Sequence, residues 1–343
     1  MTISICIPTY NRSKHLSNCI NSIISCKNKN NLNFELCISN NNSSDDTDNV
    51  IALAKKQIKF KYNKNKTNIG MTKNFIKVVS MASSDFIWLI GDDDLILPNS
   101  IDKILTLIKE NPDVDFFYVN SFHLSTEYVE KFPTPFDINN LPKKMVSFSK
   151  YKKEGLMPFF DLINPKISFD FLGGMFLYVF RKDNWDKNIS SISKFALEDK
   201  KQFSHFDNTF PHLKIISRSF SNSTAYFHPS PLGVNLSGVR EWSPMSPLVM
   251  SVRLPEALDE YRKNGLPFFQ YHYCKNFSLN NFFSDYIKLV FYKNISGGIH
   301  TNTFTLLLKN IFYPNLYLSF FYFFFRKFGN ILKSTFYRLK FWK

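Results

Sequence analysis

Residues 87–98 read IWLIGDDDLILP, with three adjacent carboxylates, Asp92, Asp93 and Asp94, between two apolar runs. Like charges repel, and a buried unpaired carboxylate is costly, so such a triplet calls for a positive partner. Neighbouring oxygen ligands suit hard divalent cations such as magnesium or manganese, which can bridge a diphosphate. The alternative is a helix N-terminus with solvated charges, a use that suits Asp94 and Asn99.

The segments that must deliver these acids alternate between strand and helix patterns. ISICIPTY is a short apolar run ending near Pro8. KHLSNCINSIISC (14–26) places Leu16, Cys19, Ile20, Ile23 and Ile24 at helical spacing. FELCISN predicts a second strand, SSDDTDNVIALAKK a capped helix, IKFKYN (58–63) a third strand, and NIGMTKNFIKVVSMAS a glycine turn into a helix. DFIWLIG is a fourth strand, followed by a helix in NSIDKILTLIKENPD and a fifth strand in VDFFYVNS. Repeated strand–helix–strand units with apolar strands predict an α/β fold with a mostly parallel sheet covered by helices. Ligands of such sheets sit beyond the carboxyl ends of the strands, which brings PTYNR, SNNNSSDDT, NKTNIG and GDDD to one crevice.

Composition limits the partners. The chain has 343 residues and a net charge of +15, and 44% of it is hydrophobic. The five cysteines form no CxxC pair, which predicts reduced cytosolic thiols, and ISICIP follows Met1 with no basic leader. The last acid is Asp285, and nine Lys or Arg follow it. Aromatic residues crowd the same region, as in LYLSFFYFFFRKFG. Nucleic-acid binders also mix bases and aromatics but seldom carry an unbroken apolar block such as SFFYFFF, so nucleic acid is not an expected partner. From Arg326 onward Phe328, Ile331, Leu332, Phe336, Leu339 and Trp342 fall near one helical face, with basic residues elsewhere. That pattern predicts a helix lying on an anionic membrane surface rather than spanning it, since a span needs roughly 20 apolar residues. The other reading of the tail is a core helix pair with a solvated basic rim.

The four loops, in this order, resemble glycosyltransferase family 2, whose GT-A fold moves sugars from nucleotide donors. ISICIPTYNR is similar to the family's entry motif. ISNNNSSDDT resembles its second loop, with Ser43, Asp45 and Thr47 in matching places. NIGMTKNF resembles its Asn-x-Gly segment, and WLIGDDD its metal-binding acid motif. The Gly-Asp-Asp-Asp run is similar to the abequosyltransferase-like branch of bacterial surface-polysaccharide enzymes. The likeness covers residues 1–125 well, 170–245 weakly and the tail not at all.

The resemblance implies roles. Pro8, Thr9 and Tyr10 would hold the nucleoside, with Asn68, Gly70 and Lys73 beside it. Asn40 stands where many relatives place an Asp that reads the base, and Gly91 where many have the first acid. Asp92 would face the ribose or the metal and Asp93 or Asp94 would ligate it. Asp92 and Asp94 are the expected metal pair for manganese or magnesium, and Asp93 is placed with the nucleotide-sugar contacts. The general base of an inverting transfer would come from Asp207 in SHFDNTFPHL or from Asp199 or Glu198 in LEDKKQF. His212, Arg240 and Trp242 are candidate pyrophosphate or acceptor contacts.

The expected organisation is a nucleotide-sugar-binding half (1–125), an acceptor-binding half (126–250) and a helical, membrane-associating extension (251–343). The expected function is metal-dependent inverting transfer from a nucleotide-diphosphate sugar to a lipid-linked or oligosaccharide acceptor in bacterial surface polysaccharide synthesis. It would act peripherally at the cytoplasmic face of the inner membrane. The rival readings are a nucleotidyltransferase that makes the donor, disfavoured because PTYNRSKHL lacks a glycine, and a non-catalytic sugar- or membrane-binding protein with the same fold.

Overall fold

The computed structural model describes residues 2–26, 34–238 and 242–325. The chain divides into two compact units, residues 1–202 with 210–240, and residues 203–209 with 241–343.

The first unit is built on one ten-stranded sheet. Its strands are β1 (Ile3–Thr9), β2 (Phe34–Asn40), β3 (Lys61–Lys64), β4 (Phe86–Leu89), β5 (Asp94–Ile96), β6 (Phe116–Ser125), β7 (Val146–Ser147), β8 (Gly155–Pro158), β9 (Tyr178–Arg181) and β10 (Thr224–Ser237). The main order is β3-β2-β1-β4-β9-β6-β10-β5, with β7 on β6 and β8 on β10. The expected parallel sheet is present in its first half, β3-β2-β1-β4, and again between β6 and β10. β9 enters antiparallel between β4 and β6. Periodicity reveals that a strand exists but not its neighbours, so this insertion was not readable from the pattern.

Every residue of β1 is buried, as befits a strand covered on both faces. One cover is α1 (Ser13–Cys26), which turns the predicted stripe of Leu16, Cys19, Ile20 and Ile23 inward. The other connecting helices are α2 (Thr47–Lys55), α3 (Met71–Ser80) and α4 (Ser100–Glu110). The third strand starts later than 58, at Lys61. Asp94 is not a helix cap but the first residue of the edge strand β5. Asn99 does precede α4, in the left-handed region at φ 64°, without a side-chain cap bond. All five cysteines are buried thiols outside any disulfide.

The second unit is helical, with Leu254–Lys263, Phe268–Ser278, Phe282–Phe291 and Thr303–Asn310 as its longer helices and a further helix over 314–325. Two buried cations tie it together. Arg253 donates to the carbonyls of Phe203 and His300 and pairs with Glu256, and Lys275 donates to Pro255 O and Asp259. Phe283 stacks edge-on against Phe320 and Phe323. No helix among the described residues is long and apolar enough to cross a membrane. The basic amphipathic segment expected from Arg326 onward lies outside the described residues.

Candidate functional site

The loops after β1, β2 and β4 are stitched to one another. Thr9 Oγ1 donates to Asp92 Oδ2 at 2.8 Å. The Arg12 guanidinium then spans two carboxylates, Nη1 to Asp92 Oδ1 at 2.8 Å and Nη2 to Asp93 Oδ2 at 3.0 Å. Both acids are nearly buried, with side chains 5% and 8% exposed, and Arg12 is 21% exposed. Such a fork is the arrangement a planar guanidinium makes best and an ammonium cannot copy. It neutralises most of the repulsion that the sequence implied.

Asp94 is used differently. Its Oδ2 accepts from the Gly91 N–H at 2.7 Å and its Oδ1 from the Asn235 amide at 2.8 Å. The acid expected as a metal ligand therefore closes its own turn and ties β5 to β10. Gly91 sits close under both neighbouring carboxylates. A Cβ at Gly91 would lie 2.6 Å from Asp93 Oδ1 and 3.1 Å from Asp94 Oδ2. A side chain at Gly91 would therefore have to displace the Asp93 carboxylate.

The second loop is a brace. Asn11, at φ 53°, takes its N–H to Ser43 Oγ and accepts from Ser44 N, each at 2.8 Å. Asp45 accepts from Ser13 N at 2.8 Å and from Thr47 Oγ1, fixing the start of α1 against that of α2. Asn40, expected to read a base, is fully buried. Its oxygen accepts from Ser43 N at 2.8 Å and its nitrogen donates to the Tyr62 hydroxyl at 3.0 Å, so its amide holds the loop. The abundant asparagines form a relay. Asn41 donates to Asn68 at 2.8 Å, Asn68 accepts from Gly70 N at 2.9 Å, and Asn74 takes Ser39 Oγ and Asn65. Side-chain amides carry both donors and acceptors, so they can replace backbone pairing between non-adjacent loops. Gly70 is at φ 87°, a conformation that favours glycine at the start of α3.

These loops belong to a segment with known relatives. The family model described as Glycosyl transferase family 2 matches residues 4–163. This segment, a little under half of the chain, resembles that family. It is 38% identical over 116 residues to the abequosyltransferase RfbV of Salmonella typhimurium, over 33% of this chain and 34% of that protein. It is 31% identical over 111 residues to the GalNAc(5)-diNAcBac-PP-undecaprenol beta-1,3-glucosyltransferase of Campylobacter jejuni, over 32% of this chain and 35% of that one. The matched stretch thus spans about a third of the length of these curated relatives. Among solved structures, S. aureus TarS in complex with UDP-GlcNAc aligns with a TM-score of 0.54 at 16% identity, over 83% of this chain and 73% of that one. The mannosyltransferase PcManGT of Pyrobaculum calidifontis, in complex with GDP-Man and Mn2+, aligns at 0.51 and 10%, over 92% and 82%. At these identities the likeness carries the fold, which is of the GT-A type.

Within the matched segment and its continuation, the structure sorts the expected residues. Thr9, Asp92 and Asp93 come together, with Pro8 in β1 and Tyr10 exposed beside them. Lys73 forms an ion pair of 2.8 Å with Glu198, whose side chain is 78% exposed, so one candidate base already has a cation. Asp199 caps a short helix and accepts from Lys201 N at 2.8 Å. His212 is buried, and Nε2–H donates to Gly173 O at 3.0 Å; burial lowers its pKa to about 4, so the ring is neutral. Asp207 and Trp242 belong to the second unit, where Asp207 is buried and Trp242 packs edge-on against Phe203. Arg240 lies outside the described residues.

Two members of the site were not among the expected residues. Arg12 was legible in principle, because three acids need a cation and PTYNR supplies one. Asn235 carried no such signal, since it reaches Asp94 from 141 residues away.

A divalent cation was expected. Among the described residues no three His, Cys, Asp or Glu side chains are grouped to hold one. Two adjacent carboxylates, Asp92 and Asp93, do present hard oxygens to a single cation, at present the guanidinium. That donor set fits an ion held jointly by the protein and a diphosphate.

Proposed function

We propose that the protein transfers a sugar from a nucleotide-diphosphate donor to an acceptor in bacterial surface polysaccharide synthesis. The observation that carries this reading is the Thr9–Asp92–Arg12–Asp93 cluster, at the carboxyl ends of parallel strands inside the segment that resembles family 2. The donor would lie across this crevice, with its nucleoside over β1 and β2 and its diphosphate at Asp92 and Asp93. Manganese or magnesium, when bound there, would neutralise the diphosphate and improve it as a leaving group. Arg12, released from one or both acids, is then placed to pair with phosphate oxygens bidentately. Asn40 and the asparagine relay hold the loops in the geometry that the donor meets.

Inversion needs a carboxylate to take the acceptor proton. Asp207, Asp199 and Glu198 are the candidates for that role, and single Asn or Gln variants at each would separate them. The reading is tested by offering purified protein a panel of nucleotide sugars with Mn2+ or Mg2+, with and without chelator, and following nucleoside diphosphate release. Release from one donor that chelator abolishes is the expected result. Release that chelator leaves untouched would remove the metal from the proposal.

The acceptor is proposed to be lipid-linked, with the protein lying on an anionic membrane surface. In support, the second unit exposes Phe291, Tyr292, Ile295, Phe304, Phe312, Phe321 and Phe325, most of them by more than 60%, in the part of the chain that has no acid after Asp285. Exposed aromatics on a cationic unit suit an interfacial surface. Sedimentation with phosphatidylglycerol vesicles should pull down the protein, and salt or purely zwitterionic vesicles should weaken the association. Equal binding to neutral vesicles would remove the electrostatic part of this reading.

A further inference from the structure

The sheet has two different faces at its far edge. Cross-strand partners share a face, so the register Leu95–Val234–Phe122 across β5, β10 and β6 defines one face and Asp94–Asn235–His123 the other. The first face is core. Leu95, Val234 and Leu236 are buried there with Phe122 and Leu124 against them. The second face carries the acid turn at one end. His123 stands two strands away on the same face, about 10 Å along the sheet. Its β7 partner Val146 is 63% exposed, so this face is open at that point.

His123 begins a stack of rings. It lies on Phe148 with centroids 4.2 Å apart and planes at 22°, and Phe148 lies on Phe169 at 4.6 Å and 17°. Phe148 is also braced edge-on by Phe176, whose carbonyl accepts from the Trp88 indole of β4, four residues before Asp92. Phe169 is the outer ring and is 38% exposed.

The loop that holds Phe169 is strained and over-determined. Phe171 and Leu172 sit side by side at φ 52° and 67°, yet both are fully buried. Bulky residues adopt that region only when their surroundings force it, and such strain gathers at ligand sites. Here Ser168 Oγ donates to Asp170 at 2.7 Å, Asp170 accepts from Gly174 N at 2.7 Å, and Leu172 N donates to Ser168 Oγ at 3.0 Å. The result is a rigid mount for one exposed ring at the outer end of the stack.

We infer that His123, Phe148 and Phe169 form the stacking platform for a pyranose ring of the acceptor. One face of a pyranose presents C–H groups, which meet the negative face of an aromatic ring, and a pre-stacked ring is bound without loss of its own freedom. Burial keeps His123 below its ordinary pKa, so the stack stays uncharged at neutral pH. The inference rests on the transferase reading, since it names the acceptor side of that site.

Saturation-transfer NMR with a panel of methyl and octyl pyranosides tests it on the full chain. Saturation of ring protons by the wild-type protein is expected, lost in Phe169→Ala and Phe169→Leu and kept in Phe169→Tyr, with thermal melting as the check on folding. In turnover the acceptor KM should rise about tenfold for Phe169→Leu and return with Phe169→Tyr. Equal saturation with and without the ring, or none from the wild type, overturns the platform. Glycoside binding without any nucleoside diphosphate release from the donor panel would overturn the transferase reading and leave a sugar-binding platform in place.

Discussion

Arg12→Leu should leave Asp92 and Asp93 facing each other with their shared counter-charge removed. Taking one partner from a buried ion pair costs about 3–5 kcal/mol, because the other charge stays behind uncompensated. The partial exposure of Arg12 places this cluster toward the lower end. For a unit of this size the loss corresponds to a fall in melting temperature on the order of 10 °C. The variant also gives the metal proposal a readout that needs no activity. With the guanidinium gone, Asp92 and Asp93 can turn their oxygens to Mn2+, and its binding to the folded state raises stability by linkage. Melting with and without Mn2+ should therefore show a much larger upward shift for Arg12→Leu than for wild type. An unchanged shift would mean that the two carboxylates do not form a cation site.

Asp93→Asn and Asp94→Asn should fail in opposite ways. Asp93→Asn removes a charge facing the proposed diphosphate site while Asp92 keeps its pair with Arg12. Turnover should drop roughly 100- to 1000-fold, the usual cost of losing one electrostatic contact to a reacting group, with melting little altered. Asp94→Asn turns an amide N–H₂ toward either the Gly91 N–H, a fixed donor, or the Asn235 amide, which donates in the wild type and can accept only by flipping out of its present orientation. Leaving a buried donor unmatched costs about 1–3 kcal/mol, so this variant should melt lower and lose activity only as the turn loosens. Calorimetry and diphosphate release on the same preparations separate the two. Full turnover in Asp93→Asn would end its assignment to the donor site, and wild-type melting of Asp94→Asn would show that the turn does not depend on that carboxylate.

The contrast between neighbouring acids shows where sequence reading stops. In DDD the three residues are chemically identical, and spacing alone does not rank them. Their roles diverge because the chain reverses at Gly91, which sends Asp94 back onto its own backbone and leaves Asp92 and Asp93 to Arg12. Asn40 is a similar case. Its place after β2 suggested a base contact, while the hydrogen bonds to Ser43 N and Tyr62 turn it into a brace.

The sequence by itself determined the parallel half of the sheet, the helices over it, the loops that converge and the family that residues 4–163 resemble. These follow from local signals, since apolar periodicity, capping residues and strand-end motifs act within a few positions. Tertiary structure decided the antiparallel insertion of β9, the division of labour among the acids, the Lys73–Glu198 pair and the ring stack of His123, Phe148 and Phe169. Each of these joins segments tens to more than a hundred residues apart, and which partners meet is settled by how the whole chain packs.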